Sequence, residues 1–413
     1  MQPPKLRRLP RYRWPLAITA AIATASIFSL TPLIDAVRPD ARLSAGLHTS
    51  IGYNLIAPLS DVFDALTLLS PNQYAATLAS CAVVFALIAL RRRFEPARWL
   101  RLALRFLGCA VAITGLLLVA RRPMASIALS DPDLLTVDFH SHTSSSHDGR
   151  AGFDAEQNRD WHSNAGFNAV YVTDHSNFDG ALDGMATNPL LAGAGTVLLP
   201  GVELRDMGEH PILIGVDPLH TRITSPDWKD AAVTADGGAA PPLIFLALPG
   251  NLLRIPRTIT SGKVRLAGVE ISDGSPRGLA QSARDREAVL ALASRLDLAT
   301  VAASDNHGWG RTAPAWSVMR IPGWRSMTPA ALDVAIRRTI AERRHSAVQV
   351  IARRMAFEPA STIGFAGGGI GVALVMLRTM SLPDRISWVF WSWALCLIHL
   401  RFARTNRRGL RIR

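Results

Sequence analysis

Long apolar runs without charge flank the middle of this 413-residue chain on both sides, and they limit what can lie between them. Trp14 to Ile34 is 21 residues without a charged side chain, behind Lys5, Arg7, Arg8, Arg11 and Arg13. A bilayer core takes about 20 such residues as a helix. Residues 73–90 form a second run, ending at Arg91, Arg92 and Arg93. Residues 99–120 form a third, in which Arg101 and Arg105 can extend back to water from the first turns. Residues 359–377 and 386–400 are a fourth and a fifth, the last carrying Trp388, Trp391 and Trp393. In the fourth, Gly364/Gly368 and Gly367/Gly371 have the four-residue spacing of close helix packing. The sequence therefore predicts membrane regions over residues 1–123 and 346–413, with a water-soluble domain over 124–345. Residues 50–70 are apolar but carry Asp61 and Asp64, and read as a surface amphipathic segment.

Charge follows the same division. Residues 131–344 hold 25 acidic and 20 basic side chains, a net of −5, so of the formal +13 the rest of the chain carries +18. A basic excess beside apolar runs suits membrane flanks better than a nucleic-acid face, which would make the domain itself basic. A long polyanion is disfavoured on the same ground, while a nucleotide is compatible. The arginines of the N-terminal tail and of the 91–101 loop belong in the cytoplasm, and three spans then put the central domain outside, in a bacterial-inner-membrane arrangement. Arg401, Arg404, Arg407, Arg408, Arg411 and Arg413 pull the other way, but early spans usually dominate. Cys81, Cys109 and Cys396 all sit in apolar runs, so the middle domain has neither a disulfide framework nor a cysteine metal site.

Inside the domain, short β-rich runs (LLTVDF, NAVYVTD, TVLLPGVEL, HPILIGV, PLIFLAL, GVEIS, ATVAAS) alternate with helical patterns at 153–163, 278–296 and 329–343. Such alternation predicts an α/β barrel or a doubly wound sheet. The ends of these runs are chemically unusual. His140 and His142 are two apart, so on a strand they point the same way. Other runs end at Asp174-His175, at Glu203 and at Asp305-x-His307, and His210 opens another. In an α/β barrel the C-terminal strand ends meet on one face. Carboxylates gathered there need a neutralising cation, which predicts a metal cluster.

The order D-x-H-x-H…HDG, TDH, PGVE, HPIL and S-D-x-H over roughly residues 134–310 resembles the PHP family, named for polymerase and histidinol phosphatase domains. The resemblance implies a distorted seven-stranded (β/α) TIM-like barrel, here flanked by transmembrane helices. It implies two or three divalent ions (manganese, iron or zinc) and phosphoester hydrolysis by a metal-activated hydroxide. Matched residue by residue, His140, His142, Glu203 and Asp305 correspond to ligands of one ion. Glu203 would bridge to a second, which His210 also matches, and Asp148, His175 and His307 match a third. Catalysis would fall to Asp305 and Glu203, with Asp174 orienting an imidazole. One position departs from the pattern: Leu248 precedes Pro249 where the family supplies a histidine, and Asn251 is a possible substitute. His147, His162, His220 and His345 are not read as ligands.

Arg254, Arg257 and Arg311 follow strand ends, and a guanidinium grips phosphate through two parallel hydrogen bonds. The implied substrate is a phosphorylated small molecule or nucleotide, with specificity in loops such as 178–193 and 217–241. No protein partner is indicated. Two other readings compete. An amidohydrolase also uses His-x-His but commonly adds a metal-bridging lysine, and Lys5, Lys229 and Lys263 all lie away from these strand ends. A sensory domain with a degenerate site would account for Leu248.

Overall fold

The computed structural model describes residues 12–91, 95–204, 210–221, 240–248, 265–359 and 361–409. The N-terminal part holds helices α1 (Arg13–Ile27), α2 (Ile51–Leu55), α3 (Ala57–Thr67), α4 (Pro71–Arg91) and α5 (Pro96–Val119), with short strands β1 (Leu33–Asp35), β2 (Ala45–His48) and β3 (Ser126–Leu129). The central part runs β4 (Leu134–Ser141), α6 (Ala155–Ala165), β5 (Ala169–Val172), α7 (Asp179–Ala186), β6 (Val197–Glu203), β7 (His210–Ile214), β8 (Leu243–Ala247), β9 (Arg265–Asp273), α8 (Pro276–Leu296), β10 (Ala299–Ala303), β11 (Ala315–Arg320), α9 (Pro329–Arg343) and β12 (Gln349–Arg353). Helices α10 (Thr362–Thr379) and α11 (Leu382–Gly409) close the chain.

Local chemistry sets the central helices. Asp154 caps α6 by accepting from Gln157 N, and Gly166 ends it in the left-handed region. Ser275 and Thr328 cap α8 and α9, each followed by a proline in the first turn. β8 and β10 are buried along their whole length, which is why they read as unbroken apolar runs.

One ten-stranded sheet, in the order β1-β12-β11-β4-β5-β6-β7-β8-β9-β10, curls around a core. There the Phe139 ring lies 5.6 Å from that of Tyr171 and 4.9 Å from that of Phe245. Burying such a side chain is worth about 1.5–3 kcal/mol. Strand β7 runs antiparallel to both neighbours, because the six residues after Glu203 suffice for a hairpin but not for a crossover. The seven strands from β4 to β10 form the curled part, yet they do not make the closed seven-stranded barrel that the sequence led us to expect. Strand β11 occupies residues 134–137 of β4's outer edge, antiparallel. Only the C-terminal end of β4 is left for β10's side, where a single bridge joins Ser141 and Asn306 and Asp305 N donates to His140 O at 3.0 Å. The result is a mixed α/β, half-barrel sheet. It also reaches past the expected domain limits, since β1 and β12 are its outermost strands on one side.

Three helices among the described residues are long and apolar enough to cross a membrane: Pro71–Arg91, Ala97–Val119 and Thr362–Thr379. The expected first span over 14–34 is not one helix. α1 stops at Ile27 and the chain turns into β1; its 15 residues reach only about 22 Å. The expected fifth span lies inside α11, whose Trp393 Nε1 donates to Thr19 Oγ1 of α1 at 3.2 Å. α10 packs on α4, but not through the four-spaced glycine pairs. A Cβ on Gly368 would meet Ala76 Cβ at 2.7 Å and one on Gly369 would meet Ser80 Cβ at 3.0 Å, whereas Gly367 and Gly371 face open space.

Candidate metal centre

β4 carries His140 into the curl, and His142 follows directly after its end. Both imidazoles are buried, at 3% and 0% exposure. Their Nε2 atoms lie 3.0 Å apart, each 3.1 Å from Glu203 Oε2 at the end of β6. Asp305 Oδ1, beyond β10, lies 3.5 and 3.4 Å from the same two nitrogens. Donor atoms around one tetrahedral ion, each about 2.0–2.2 Å from it, stand about 3.3–3.6 Å apart. His140, His142 and Glu203 form a close set of that kind, and Asp305 flanks its two imidazoles. Asp305 has φ 44, in the left-handed region that a non-glycine residue rarely adopts. Such strain is characteristic of functional positions.

Two further groups adjoin the first. His210 Nδ1 at the start of β7 is 2.5 Å from Glu203 Oε1, and His175 Nδ1 is 3.3 Å from Glu203 Oε2. Asp148 Oδ2 is 3.2 Å from His175 Nε2 and 3.3 Å from His307 Nε2, with His142 completing that set. Seven of the eight expected ligand residues thus fall at one end of the curled sheet in three close groups that share His142, His175 and Glu203, and Asp305 lies beside the first. Leu248, immediately after Ala247, which pairs with His210, gives the middle group no fourth donor. Its carbonyl accepts from Gln281 Nε2 at 3.0 Å.

The charge states fit a cation site. Burial would raise Glu203, but the His140 charge and hydrogen bonds from His140, His142 and His210 hold it well below the usual carboxylate range. Burial would lower His142, yet hydrogen bonds to Asp305 and Glu203 push it up to about 9. His140 is raised well above its ordinary value, because Glu270, Glu203 and Asp305 outweigh burial. Asp148 and Asp305 are both lowered: burial opposes this, but Ser146 and the histidines prevail at Asp148, and His140 and His142 at Asp305. His175, by contrast, is lowered to about 4, chiefly by burial. In the absence of metal, protons must therefore sit between the first group's nitrogens and carboxylates, where an ion would replace them.

Several residues stand elsewhere than expected. Asp174 is buried, but its oxygens accept from Thr143 N at 2.6 Å and Thr143 Oγ1 at 2.7 Å. It pins the turn after His142 and hydrogen-bonds no imidazole. Arg311 makes no hydrogen bond to the cluster among the described residues; it faces Arg122, Arg121, Asp160 and Arg150 instead. Arg254, Arg257 and Asn251 lie outside the described residues.

The orienting carboxylates are two that the sequence reading did not assign. Glu270 Oε1 on β9 is 3.0 Å from His140 Nδ1, in a fully buried position. Asp138 Oδ1 accepts from His140 N at 3.2 Å and Ser304 N at 3.1 Å, and its Oδ2 is 2.8 Å from His162 Nε2. A signal for Glu270 was present: a carboxylate in the middle of the apolar run GVEIS must either be paired or be very costly.

No family model matches the chain, and no curated protein matches it. Solved structures give partial likenesses. PsfC from Pseudomonas syringae is 17% identical, with 60% of this chain and 99% of that one covered and a TM-score of 0.35. A protein from Bifidobacterium adolescentis described as a metal-dependent phosphoesterase is 17% identical over 50% of this chain and 96% of its own, with a TM-score of 0.31. The lesion-specific endonuclease PfuEndoQ from Pyrococcus furiosus is 12% identical over 48% and 55%, also at 0.31. Likenesses of this size say nothing about the reaction, which has to be read from the donors themselves.

Proposed function

We propose that this chain is a membrane-anchored, divalent-metal-dependent phosphoesterase. The observation that carries the reading is the convergence of His140, His142 and Glu203, buried and with donor atoms 3.0–3.1 Å apart, and of Asp305 at 3.4–3.5 Å from the two imidazoles. An all-imidazole-and-carboxylate set without thiolate suits manganese, iron or zinc. His140, His142, Glu203 and Asp305 would hold one ion; Glu203, His175 and His210 a second; Asp148, His175 and His307, beside His142, a third. Such ions would supply positive charge against phosphate oxygens and lower the pKa of water toward about 7.

The chain's own groups do the rest. Glu270 keeps the His140 proton on Nδ1, so Nε2 presents its lone pair inward. Glu203 stays ionised and serves both neighbouring groups. Asp174 fixes Thr143 and with it the turn that brings Asp148 back to His175 and His307. In the net reaction a water oxygen bonds to phosphorus, the ester P–O bond breaks, and the leaving oxygen takes a proton as the alcohol. Half-exposed Asp148 and exposed His147 beside it line the side on which that proton is exchanged.

The membrane part of the reading rests on the three long apolar helices and on the basic tails. We place the domain outside the cytoplasm on the arginines of the 91–101 loop, which lies between the two long apolar helices that precede it. The test is hydrolysis of phosphomonoesters and phosphodiesters by the purified full-length protein in detergent, with manganese, iron or zinc, beside Asp305→Ala. Turnover that requires both metal and Asp305 supports the reading. Metal binding without turnover on any ester would favour the sensory reading, which the three-donor middle group at Leu248 supports.

A further inference from the structure

We propose that the phosphate ester handled at this centre is the head group of a membrane amphiphile, taken from the bilayer surface past α3 and Trp309. This rests on the phosphoesterase and membrane readings above. A cavity of about 210 Å³ lies beside Asp305 and His307, lined also by Thr67 and Leu68 at the end of α3 and by Trp161 and the exposed Trp309. Complete small-ligand sites usually enclose about 300–1,000 Å³. This one has room for a phosphate head and little more, so the remainder of the substrate must lie outside, past Thr67 and Trp309.

The position of the cavity says what is outside. Gly310 N donates to Leu118 O at 3.0 Å, and Leu118 is the penultimate residue of α5, a helix of membrane-crossing length. Gly310 is held from the other side by Trp161 Nε1, which donates to its carbonyl at 3.1 Å. His307 is three residues away, and three residues span at most about 10 Å. The metal-ligating loop therefore hangs from the end of a candidate span, at head-group depth. Trp309 between them is 48% exposed, with the Arg150 guanidinium 5.8 Å from its ring. Exposed tryptophan at that level is typical of a membrane interface. Two residues beyond Trp309, the buried Arg311 Nε has no hydrogen-bond partner among the described residues. With Arg150 over the Trp309 ring it offers positive charge to an anionic head group. Ile51 and Leu55 on α2 and Leu59 on α3 are apolar and exposed, at 88%, 63% and 58%. A small water-soluble ester would leave these features without use.

The experiment compares substrates that share one phosphomonoester head, using metal-loaded full-length protein in detergent. Long-chain phosphatidate in mixed micelles is set against dibutyryl phosphatidate and glycerol phosphate in solution. At least tenfold higher kcat/KM for the long-chain lipid, with a rate that follows its mole fraction in the micelle, is the expected result. Equal or faster turnover of the soluble esters overturns the proposal while leaving the phosphoesterase reading standing. No turnover of any ester overturns both. A second readout needs no metal: a photoactivatable phosphatidate should label peptides containing residues 67–68 and 309, and labelling confined to other segments overturns the proposal. Trp309→Ala should reduce the ratio of long-chain to soluble turnover about tenfold, and an unchanged ratio counts against it.

Discussion

Glu270 Oε1 and His140 Nδ1 are 3.0 Å apart, on the opposite side of the imidazole from the Nε2 that faces Glu203 and Asp305. The pair fixes which nitrogen carries the proton and raises the basicity of the other. Orienting carboxylates of this kind are worth about 10–100-fold in metal affinity. Glu270→Gln should therefore weaken binding at the first group by about that factor, as read by competition with a chromophoric chelator. Unchanged affinity in the variant would contradict the orienting role.

Protons and metal compete for the same nitrogens. His142 is raised to about 9 in the metal-free protein, and His140 is also raised. Below those values the nitrogens are protonated and an ion must displace the protons. Apparent affinity should thus increase from about pH 6 up to about pH 9 and then level off. Calorimetry in buffers of different ionisation enthalpy should register protons released on binding at pH 7.5. Affinity that is flat over this range would contradict the assignment.

Leu248 stands next to Ala247, the partner of His210 in the β7–β8 ladder, and has φ 27. Among the described residues the middle group consequently has three donors: His175, Glu203 and His210. Leu248→His should add a fourth. The expected outcome is about one more equivalent of manganese or zinc retained after desalting, measured by elemental analysis. If the metal content does not change, the β8 end is not directed at the cluster.

The cluster was largely legible in the sequence because its residues fall at strand ends, where a two-residue period and a chain of short apolar runs can be counted. Seven of the eight candidate positions fall at or near strand ends, whereas Asp148, in the turn after β4, was indicated only by the family resemblance. Glu270 and Asp138 were passed over because they sit inside runs rather than at their ends, and their partners, His140 and His162, are 130 and 24 residues distant. Asp174 shows the converse: its place beside His175 suggested an imidazole partner, whereas Thr143, 31 residues away, takes both of its oxygens. The open barrel could not be read from local pattern. It depends on β11 taking β4's edge, a competition between strands nearly 180 residues apart. The first expected span failed because composition sets a helix's polarity but not where tertiary pairing stops it; β1's pairing with β12 ends that run as a strand.

Asp64 and Asp61, one turn apart on α3, should respond oppositely to loss of charge. Asp64 Oδ1 accepts from Arg122 at 2.5 Å and from Thr312 Oγ1 at 2.9 Å, while Oδ2 accepts from Arg353 at 2.8 Å. It ties α3 to β12 and to the loop that carries His307. Asp64→Ala leaves two buried guanidinium groups without their carboxylate, a loss of about 3–5 kcal/mol. Thermal unfolding in detergent should show a correspondingly lower melting temperature. Among the described residues Asp61 has no such cation: Tyr53 OH and Trp388 Nε1 donate to it, and burial together with Asp384 pushes its carboxyl up to about 7. A folded-state value above the unfolded one means that stability is fully present below about pH 4 and is lost as the pH rises through about 7. Asp61→Asn should remove that slope and leave the protein as stable at pH 8 as the parent is, or more so. A loss at pH 8 as large as that of Asp64→Ala would show that the ionised carboxylate is itself stabilising and that a cation pairs with it.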